Sequence, residues 1–243
     1  MAIGKVPQSW KTAAVTPVFK KGLASDCSNY RPISLTCVIC KVMERIIATE
    51  IMSYLKSHGI INKAQHGFLS RRSTVTNLIE SLNDWTLSIK NKRVTDVIYI
   101  DYSKAFDTVC HAKLLHKLSS VGIHGELLDW IGCFLKDRTQ ITRVGQSCSK
   151  SGLLTSGVVQ GSCLGPLLFI IYINDVVSLF GSGVTCKLFA DDIKLYSVIE
   201  TADDISELQT KLDQLVEWSR KWQLHISASK GRCTQPCYPA VLH

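Results

Sequence analysis

Residues 186–196 read CKLFADDIKLY, and this stretch decides the fold. Two strand-like runs, residues 186–190 and 193–196, are separated only by Asp191 and Asp192. Strands joined by two turn-tolerant residues are typical of a β-hairpin. The sequence therefore predicts a hairpin with two carboxylates at its tip.

A second strand carries a third carboxylate. Val97–Ile100 is β-branched and aromatic and ends abruptly at Asp101, as a buried strand ends at a sheet edge. If this strand neighbours the hairpin, the three carboxylates converge, which is tolerable only if cations neutralise them. Oxygen ligands favour Mg²⁺ or Mn²⁺, and two such ions about 3.5–4 Å apart promote in-line phosphoryl displacement. The pattern indicates polymerase or nuclease chemistry, although an Asp-Asp pair alone is more often a hydrophilic turn.

Helical periodicity fills much of the remaining chain. Apolar residues recur at helical spacing from Leu35 to Leu55, with Gly59 as a stop, and from Val75 to Ile89, with Ser73 or Thr74 as a cap. Further helices are predicted over residues 114–121, 127–135, 166–180 and 205–222. This order of elements predicts an α+β fold, with an antiparallel sheet backed by helices.

Composition and charge narrow the class of protein. The 243 residues are 46% hydrophobic and 20% charged, which predicts a folded chain, and no apolar run reaches the roughly 20 residues of a membrane span. The N-terminus lacks a secretory signal, so we expect a protein that is not secreted and ten reduced cysteines. Residues 1–93 hold 14 basic and 5 acidic side chains, against 14 and 15 in residues 94–243. Such a basic half favours a polyanionic partner, with a merely solvated surface as the alternative.

Five local motifs, in order along the chain, carry a family resemblance. They are NYRPISL (29–35), QHGFLSRRSTVTNL (65–78), VIYIDYSKAFDTV (97–109), SGVVQGSCLGPLLF (156–169) and LFADDIKLY (188–196). Together they closely resemble the reverse transcriptases of non-LTR retrotransposons, particularly the jockey-like and CR1-like branch. The resemblance implies right-hand polymerase architecture, with fingers over residues 1–93, a palm over 94–230 and a divergent, poorly ordered tail over 231–243. It also implies that the chain stops before the thumb, which would leave palm surface near Leu215, Trp218 and Trp222 exposed.

The resemblance implies roles in the palm. Asp101 and Asp191 would share two Mg²⁺ ions, with Mn²⁺ possible, and Asp192 would be the outer member of the metal-binding set. Phe106 would lie under the incoming sugar as a steric gate, unless it is an ordinary core residue. Gln160 and Gly161 would sit beside the incoming nucleotide and template, where a glycine permits close approach, although Gln-Gly-Ser alone would be only a turn.

Basic residues receive roles in the same way. Arg31, with Lys20 or Lys21, resembles the clamp on the triphosphate, which suits a guanidinium fork; the alternative is that Arg31 caps or pairs with a helix after Pro32. Arg71 and Arg72 would meet the template backbone, or form an exposed surface pair. Lys230 matches the lysine proposed to protonate the leaving pyrophosphate. Asp107 resembles a family marker with a structural role.

The resemblance implies an RNA-directed DNA polymerase that extends a DNA primer along an RNA template with deoxynucleoside triphosphates. A catalytically incompetent nucleic-acid-binding remnant and, more weakly, a metal-dependent phosphohydrolase are the alternatives. We expect a nuclear location by resemblance, with the cytoplasm as the alternative, and no membrane partner. The oligomeric state is not indicated by the sequence.

Overall fold

The computed structural model describes residues 5–181, 183–227 and 232–233. The helices are α1 (Val38–Ser57), α2 (Thr74–Lys90), α3 (Ala105–Thr108), α4 (His111–Ser120), α5 (Gly125–Leu135), α6 (Gly165–Ile173) and α7 (Ala202–Trp222). The strands are β1 (Thr12–Phe19), β2 (Tyr30–Leu35), β3 (Val94–Ile100), β4 (Arg138–Val144), β5 (Ser147–Cys148), β6 (Gly152–Leu154), β7 (Thr185–Phe189), β8 (Asp192–Ile199) and β9 (Arg232–Cys233). Short 3₁₀ helices cover Gln8–Trp10, Cys27–Asn29 and Asn174–Leu179. No helix among these residues is both long and apolar enough to cross a bilayer.

The chain forms two compact units that are interleaved in sequence. The first unit comprises Met1–Ile60 and Phe106–Ile171, and the second comprises Ile61–Ala105 and Tyr172–His243. Each unit groups the residues that pack together, whereas the division into fingers and palm at residue 93 groups residues by their expected function. That division stays a prediction.

The first unit contains a mixed sheet that the sequence did not predict. Strands β1 and β2 form an antiparallel hairpin, and β4 runs parallel to β1, with Ala14 opposite both Leu35 and Ile141. Strands β5 and β6 pair antiparallel with β4. Most of these strands are only partly buried, and neither β1 (TAAVTPVF) nor β4 (RTQITRV) shows the clean apolar alternation that marks a strand in sequence. Helices α4 and α5 pack against each other in the same unit.

The second unit contains the predicted antiparallel sheet, in the order β7-β8-β3-β9. The hairpin β7–β8 and the strand β3 occur where the sequence placed them. Helix α7 covers this unit with one apolar stripe, at Leu208, Leu212, Leu215, Trp218 and Trp222, all of which are buried. The expectation that the surface near Leu215 is exposed is therefore wrong, because these side chains fill the core of their own unit.

Helix α2 is confirmed by the structure, but its orientation is unexpected. The side chains it buries include Asn77, Ser81 and Ser88. Its apolar residues Val75 and Leu82 are 60% and 47% exposed, although helical periodicity normally marks the face turned toward the core. The periodicity therefore predicted the helix correctly and its buried face wrongly.

Candidate active site

The three predicted metal ligands all lie in the second unit, at one end of its sheet. Strands β3 and β8 are antiparallel neighbours, and Ile100 lies opposite Ile193. Asp101 directly follows the first of these residues and Asp192 directly precedes the second. Because paired strands lie about 4.8 Å apart, the two aspartates flank the same end of the ladder. The condition on which convergence of the carboxylates depended, that the strands be neighbours, is therefore met.

Asp191 lies in the hairpin turn. Phe189 pairs with Asp192, so Ala190 and Asp191 form a two-residue loop. The predicted hairpin is confirmed, but its loop begins one residue earlier than the sequence predicted, and Asp192 belongs to β8. Asp101 is fixed from the other side of β3, since the Ser227 N–H donates to its carbonyl oxygen at 2.8 Å. Asp101 and Asp191 are partly exposed and Asp192 is exposed, which leaves them accessible to solvent and ligands.

The donor set fits a hard divalent cation. The residues are carboxylates only, and Mg²⁺ prefers oxygen ligands at octahedral geometry. Within the described ranges, no three histidine, cysteine or acidic side chains form a ready metal cluster. Mg²⁺ is commonly held in proteins by one or two carboxylates together with substrate phosphates and water. Asp101, Asp191 and Asp192 are the residues that would hold it.

Gln160 and Gly161 lie in the first unit, where their neighbours fix them. Gln160 Nε2 donates to Asp107 Oδ1 at 2.8 Å, and the Gln160 carbonyl accepts from the Ser34 N–H at 3.0 Å. Gly161 has a φ of 106°, and a Cβ there would lie 2.4 Å from the Ser34 carbonyl oxygen. Only glycine fits this approach. Asp107 thus holds the Gln160 amide, in keeping with the structural role expected of it.

Phe106 is stacked within the first unit. Its ring lies 4.3 Å from the ring of Phe169, with an interplanar angle of 19°. Phe169 is fully buried, whereas Phe106 is only partly so. One face of Phe106 is therefore supported by the core, and the residue is not entirely enclosed as an ordinary core phenylalanine would be.

The predicted triphosphate clamp lies at one end of the β1–β2 hairpin. Arg31 pairs with Val18, and Lys20 and Lys21 follow β1 directly. All three side chains are exposed. The alternative role for Arg31, at the start of a helix after Pro32, is wrong because Pro32 lies inside β2 and the following helix begins only at Val38.

Arg71 and Arg72 differ in environment. Arg72 Nη1 donates to the Lys63 carbonyl at 2.6 Å and lies 3.0 Å from Nε2 of His66, a fully buried side chain. Because arginine is only a donor, His66 Nε2 is the acceptor and Nδ1–H donates to the Thr76 hydroxyl, at 2.9 Å. Burial lowers the pKa of His66, against the opposing charge of Glu80. Arg72 thus has a structural role, while Arg71 is exposed and stays a candidate for template contact.

Some functional assignments lie beyond the described residues, and others were missed. Lys230 and all of the tail except Arg232–Cys233 fall outside the described ranges; those two residues pair with β3. Sequence reasoning gave no role to Glu44, whose buried carboxylate binds the loop that follows Gln160, or to Gln65, whose side chain binds the turn before Asp191. The motif around Gln65 was the only signal for either residue.

A four-stranded antiparallel sheet with carboxylates at the adjoining ends of two central strands, in a chain with a strongly basic first part, defines the palm-type nucleotidyl-transferring polymerases. The chain belongs to the family described as reverse transcriptase (RNA-dependent DNA polymerase), whose model matches residues 18–238. Together with the relatives described next, this match confirms the resemblance to non-LTR retrotransposon polymerases.

Individual relatives agree. The chain is 30% identical over 231 residues to the probable RNA-directed DNA polymerase from transposon X-element of Drosophila melanogaster, covering 93% of this chain and 25% of that protein. It is 30% identical over 239 residues to the RNA-directed DNA polymerase from mobile element jockey of the same species, covering 94% and 26%. The chain thus spans about a quarter of the length of these relatives.

Solved structures support the fold. Apo telomerase from Candida tropicalis, truncated from its C-terminal domain, superposes with a TM-score of 0.67 over 96% of this chain and 52% of that one. A second structure of apo telomerase from the same organism gives a TM-score of 0.66, covering 97% and 45%. Identities of 12% and 11% limit these likenesses to the fold. They agree with an α+β arrangement of polymerase fingers and palm.

Proposed function

We propose that the chain is the nucleotidyl-transferring part of an RNA-directed DNA polymerase, which extends a DNA primer along an RNA template with deoxynucleoside triphosphates. The observation that carries the proposal is the pairing of β3 with β8, which brings Asp101 and Asp192 to the same end of the sheet, next to the Asp191 turn. Membership in the reverse transcriptase family supports the choice of reaction.

In this mechanism the carboxylates of Asp101 and Asp191 hold divalent cations, with Asp192 as the outer member of the set. When bound there, Mg²⁺ supplies Lewis-acid activation of the primer 3′-hydroxyl and neutralises charge on the departing pyrophosphate. The remaining work is positioning, which dominates phosphoryl transfer. Lys20, Lys21 and Arg31 bind triphosphate oxygens, and Arg31 can do so with two parallel hydrogen bonds.

Nucleotide selection is assigned to the first unit. The Gln160 amide, held by Asp107, and the bare backbone at Gly161 contact the incoming nucleotide and template. Phe106, supported from behind by Phe169, blocks a sugar that carries a 2′-hydroxyl. Lys230 is assigned the role of proton donor to pyrophosphate, and this assignment rests on the resemblance alone.

The test is primer extension by the purified chain on oligo(dT)-primed poly(rA), with Mg²⁺ or Mn²⁺. Asp191→Asn removes a ligand charge and should abolish extension, while RNA affinity and the melting temperature stay close to the wild type, because affinity comes mainly from basic side chains. Asp203→Asn, an exposed aspartate in α7, is the matched control and should extend normally. Full extension by Asp191→Asn would refute the mechanism.

A second candidate is a nucleic-acid-binding remnant without catalysis. The excess of basic residues in positions 1–93 favours it, since these charges bind a phosphate backbone whether or not the carboxylates act. The same experiment separates the two functions. A remnant binds RNA with a steep salt dependence and gives no extension product with either cation.

A further inference from the structure

The turn that carries Asp191 has a strained backbone. Ala190 is the first of its two residues, and its φ of 57° lies in the left-handed region that residues with a side chain rarely adopt. Only 4% of Ala190 is exposed. Such residues persist where the surrounding structure holds them, and they cluster at functional sites. The contacts that hold Ala190 therefore decide where Asp191 lies.

Residues 64–67 supply these contacts, within the same unit as the turn. The Leu188 N–H donates to the Ala64 carbonyl, and the His66 N–H donates to the Leu188 carbonyl, each at 2.9 Å. Gln65 and Leu188 form a parallel bridge. This short segment lies beside β7, the outermost strand of the sheet, and reaches the end of that strand next to the turn.

The Gln65 side chain reaches the turn itself. Its Oε1 accepts hydrogen bonds from the backbone N–H groups of Ala190, at 3.0 Å, and of Gly67, at 2.7 Å. The residue is 1% exposed, so water does not replace these bonds. Two backbone donors on one amide oxygen fix the orientation of both the side chain and the Ala190 peptide. Without that oxygen, two buried N–H groups are left without an acceptor.

Gly67 presses on the same turn from its backbone. A Cβ at residue 67 would lie 2.4 Å from the Ala190 nitrogen and 3.0 Å from its Cα. The obstructing atoms are backbone, which cannot rotate away as the end of a side chain can. Any residue other than glycine at this position must therefore displace the turn.

We propose that Gln65 and Gly67 are positioning residues for Asp191, which hold the strained Ala190 peptide so that the next carboxylate is directed to its divalent cation. Rotation about the Ala190 backbone moves the Asp191 Cα directly, because the two residues are consecutive. Groups that orient a metal ligand in this way typically change metal affinity or activity by about 10- to 100-fold when removed. In naming the cation, the inference rests on the proposed function.

The experiment compares two variants at residues that contact the turn with a control at a residue of α2 that contacts the adjoining strand β7. Gln65→Met keeps the volume of the side chain and removes the acceptor, and Gly67→Ala introduces the obstructing Cβ. The control is Asn77→Leu: the Asn77 side chain donates to the Leu188 carbonyl at 3.2 Å, and that carbonyl keeps its bond from His66. All three variants perturb the surroundings of β7, but only the first two act on a group in contact with Ala190.

Three measurements are made on each variant and the wild type: hydrogen exchange of peptides covering residues 186–196, Mn²⁺ binding by electron paramagnetic resonance, and primer extension. We expect Gln65→Met and Gly67→Ala to accelerate exchange at the turn and to weaken Mn²⁺ binding at least about tenfold. Asn77→Leu should leave Mn²⁺ binding within about twofold of the wild type, because it leaves the two hydrogen bonds to Gln65 Oε1 in place. This result is expected even if its melting temperature falls as far as those of Gln65→Met and Gly67→Ala.

The outcomes separate this inference from the proposed function. If Gln65→Met binds Mn²⁺ as tightly as Asn77→Leu does, or if the wild type binds none, the positioning role is overturned, whatever the extension assay gives. If the turn variants lose Mn²⁺ affinity while no protein extends a primer, the positioning role stands and the polymerase function fails. If the wild type extends a primer and Gln65→Met extends it equally well, the polymerase function stands and the positioning role fails.

Discussion

Replacing Glu44 with leucine should destabilise the first unit by several kcal/mol. Glu44 lies on α1 and has no exposed surface. Its Oε2 accepts hydrogen bonds from the backbone N–H groups of Cys163, at 2.7 Å, and Leu164, at 3.1 Å. These groups directly precede α6, where backbone N–H groups have no partner inside the helix. The buried carboxylate therefore caps α6 from a distant helix.

The magnitude follows from what leucine leaves behind. Each buried N–H that loses a charged acceptor costs about 1.5–3 kcal/mol. Arg138, 2% exposed, also loses a compensating charge: burial lowers its pKa, and Cys40 and Glu44 oppose that shift. Breaking a buried charge arrangement by removing one partner costs about 3–5 kcal/mol, which sets our estimate for Glu44→Leu. Glu44→Gln keeps one neutral acceptor and should cost about 1–2 kcal/mol.

The Cys40 thiol is a third donor that depends on the Glu44 carboxylate. Burial, and after it the Glu44 charge, raises the pKa of Cys40 to about 12, so the thiol is protonated and donates to Glu44 Oε1 at 3.3 Å. In Glu44→Leu this donor also loses its acceptor. Cys40 belongs to the same helix, so the loss falls on the unit already destabilised.

The assay is urea unfolding read by hydrogen exchange of peptides from residues 158–171, which report on the first unit alone. The midpoint should fall in the order wild type, Glu44→Gln, Glu44→Leu, with little change in the slope of free energy against urea. Glu50→Leu, an exposed position on the same helix, should shift stability by less than about 0.5 kcal/mol. If Glu44→Leu stays within about 1 kcal/mol of the wild type, the capping argument fails.

Two further predictions concern sugar selection and pH. Phe106→Ala opens space against Phe169, so incorporation of ribonucleotides relative to deoxyribonucleotides should rise at least about tenfold in primer extension. Phe106→Tyr is the control, and an unchanged ratio in Phe106→Ala would assign Phe106 to the core. The lowered pKa of His66 means that the unfolded chain binds more protons below the ordinary histidine pKa of about 6.5. The free energy of unfolding should therefore fall as pH drops from about 6.5, by at most about 1.4 kcal/mol per pH unit, and His66→Gln should flatten this dependence in urea titrations. Arg72, Glu80 and Lys187 face His66, and the hydrogen bond from Lys187 lowers the pKa of Glu80. An identical slope in His66→Gln would assign the titration to another group.

The sequence predicted the elements that bear strong local patterns. The hairpin around Asp191, the strand ending at Asp101 and the long helices occur in the structure close to their predicted bounds. The predicted apolar helix from Pro166 to Phe180 is confirmed only to Ile173, and a 3₁₀ helix follows over Asn174–Leu179. Each confirmed element has a pattern that depends on residues close together in the chain, and for this reason sequence alone can reveal it.

The missed features depend on contacts between distant parts of the chain. The strands of the first unit are short, polar or half exposed, and β1 acquires its place by running parallel to β4, more than 120 residues away. Glu44 reads as an ordinary polar residue on a helix until Cys163 and Leu164 are seen beside it. No periodicity encodes such a pair, because each partner is locally unremarkable.

Helix α2 shows how contacts with the sheet override a local pattern. The Ser81 and Ser88 hydroxyls donate to carbonyls one turn back in the same helix, so burying these residues leaves no hydroxyl unsatisfied. Small side chains also let the helix lie close to the sheet, and Asn77 can then reach the Leu188 carbonyl. A face of leucines would hold the helix farther away. Strand β7 is therefore held by α2 and by residues 64–67, both near the turn that carries Asp191, and the apolar side of the helix is left facing outward.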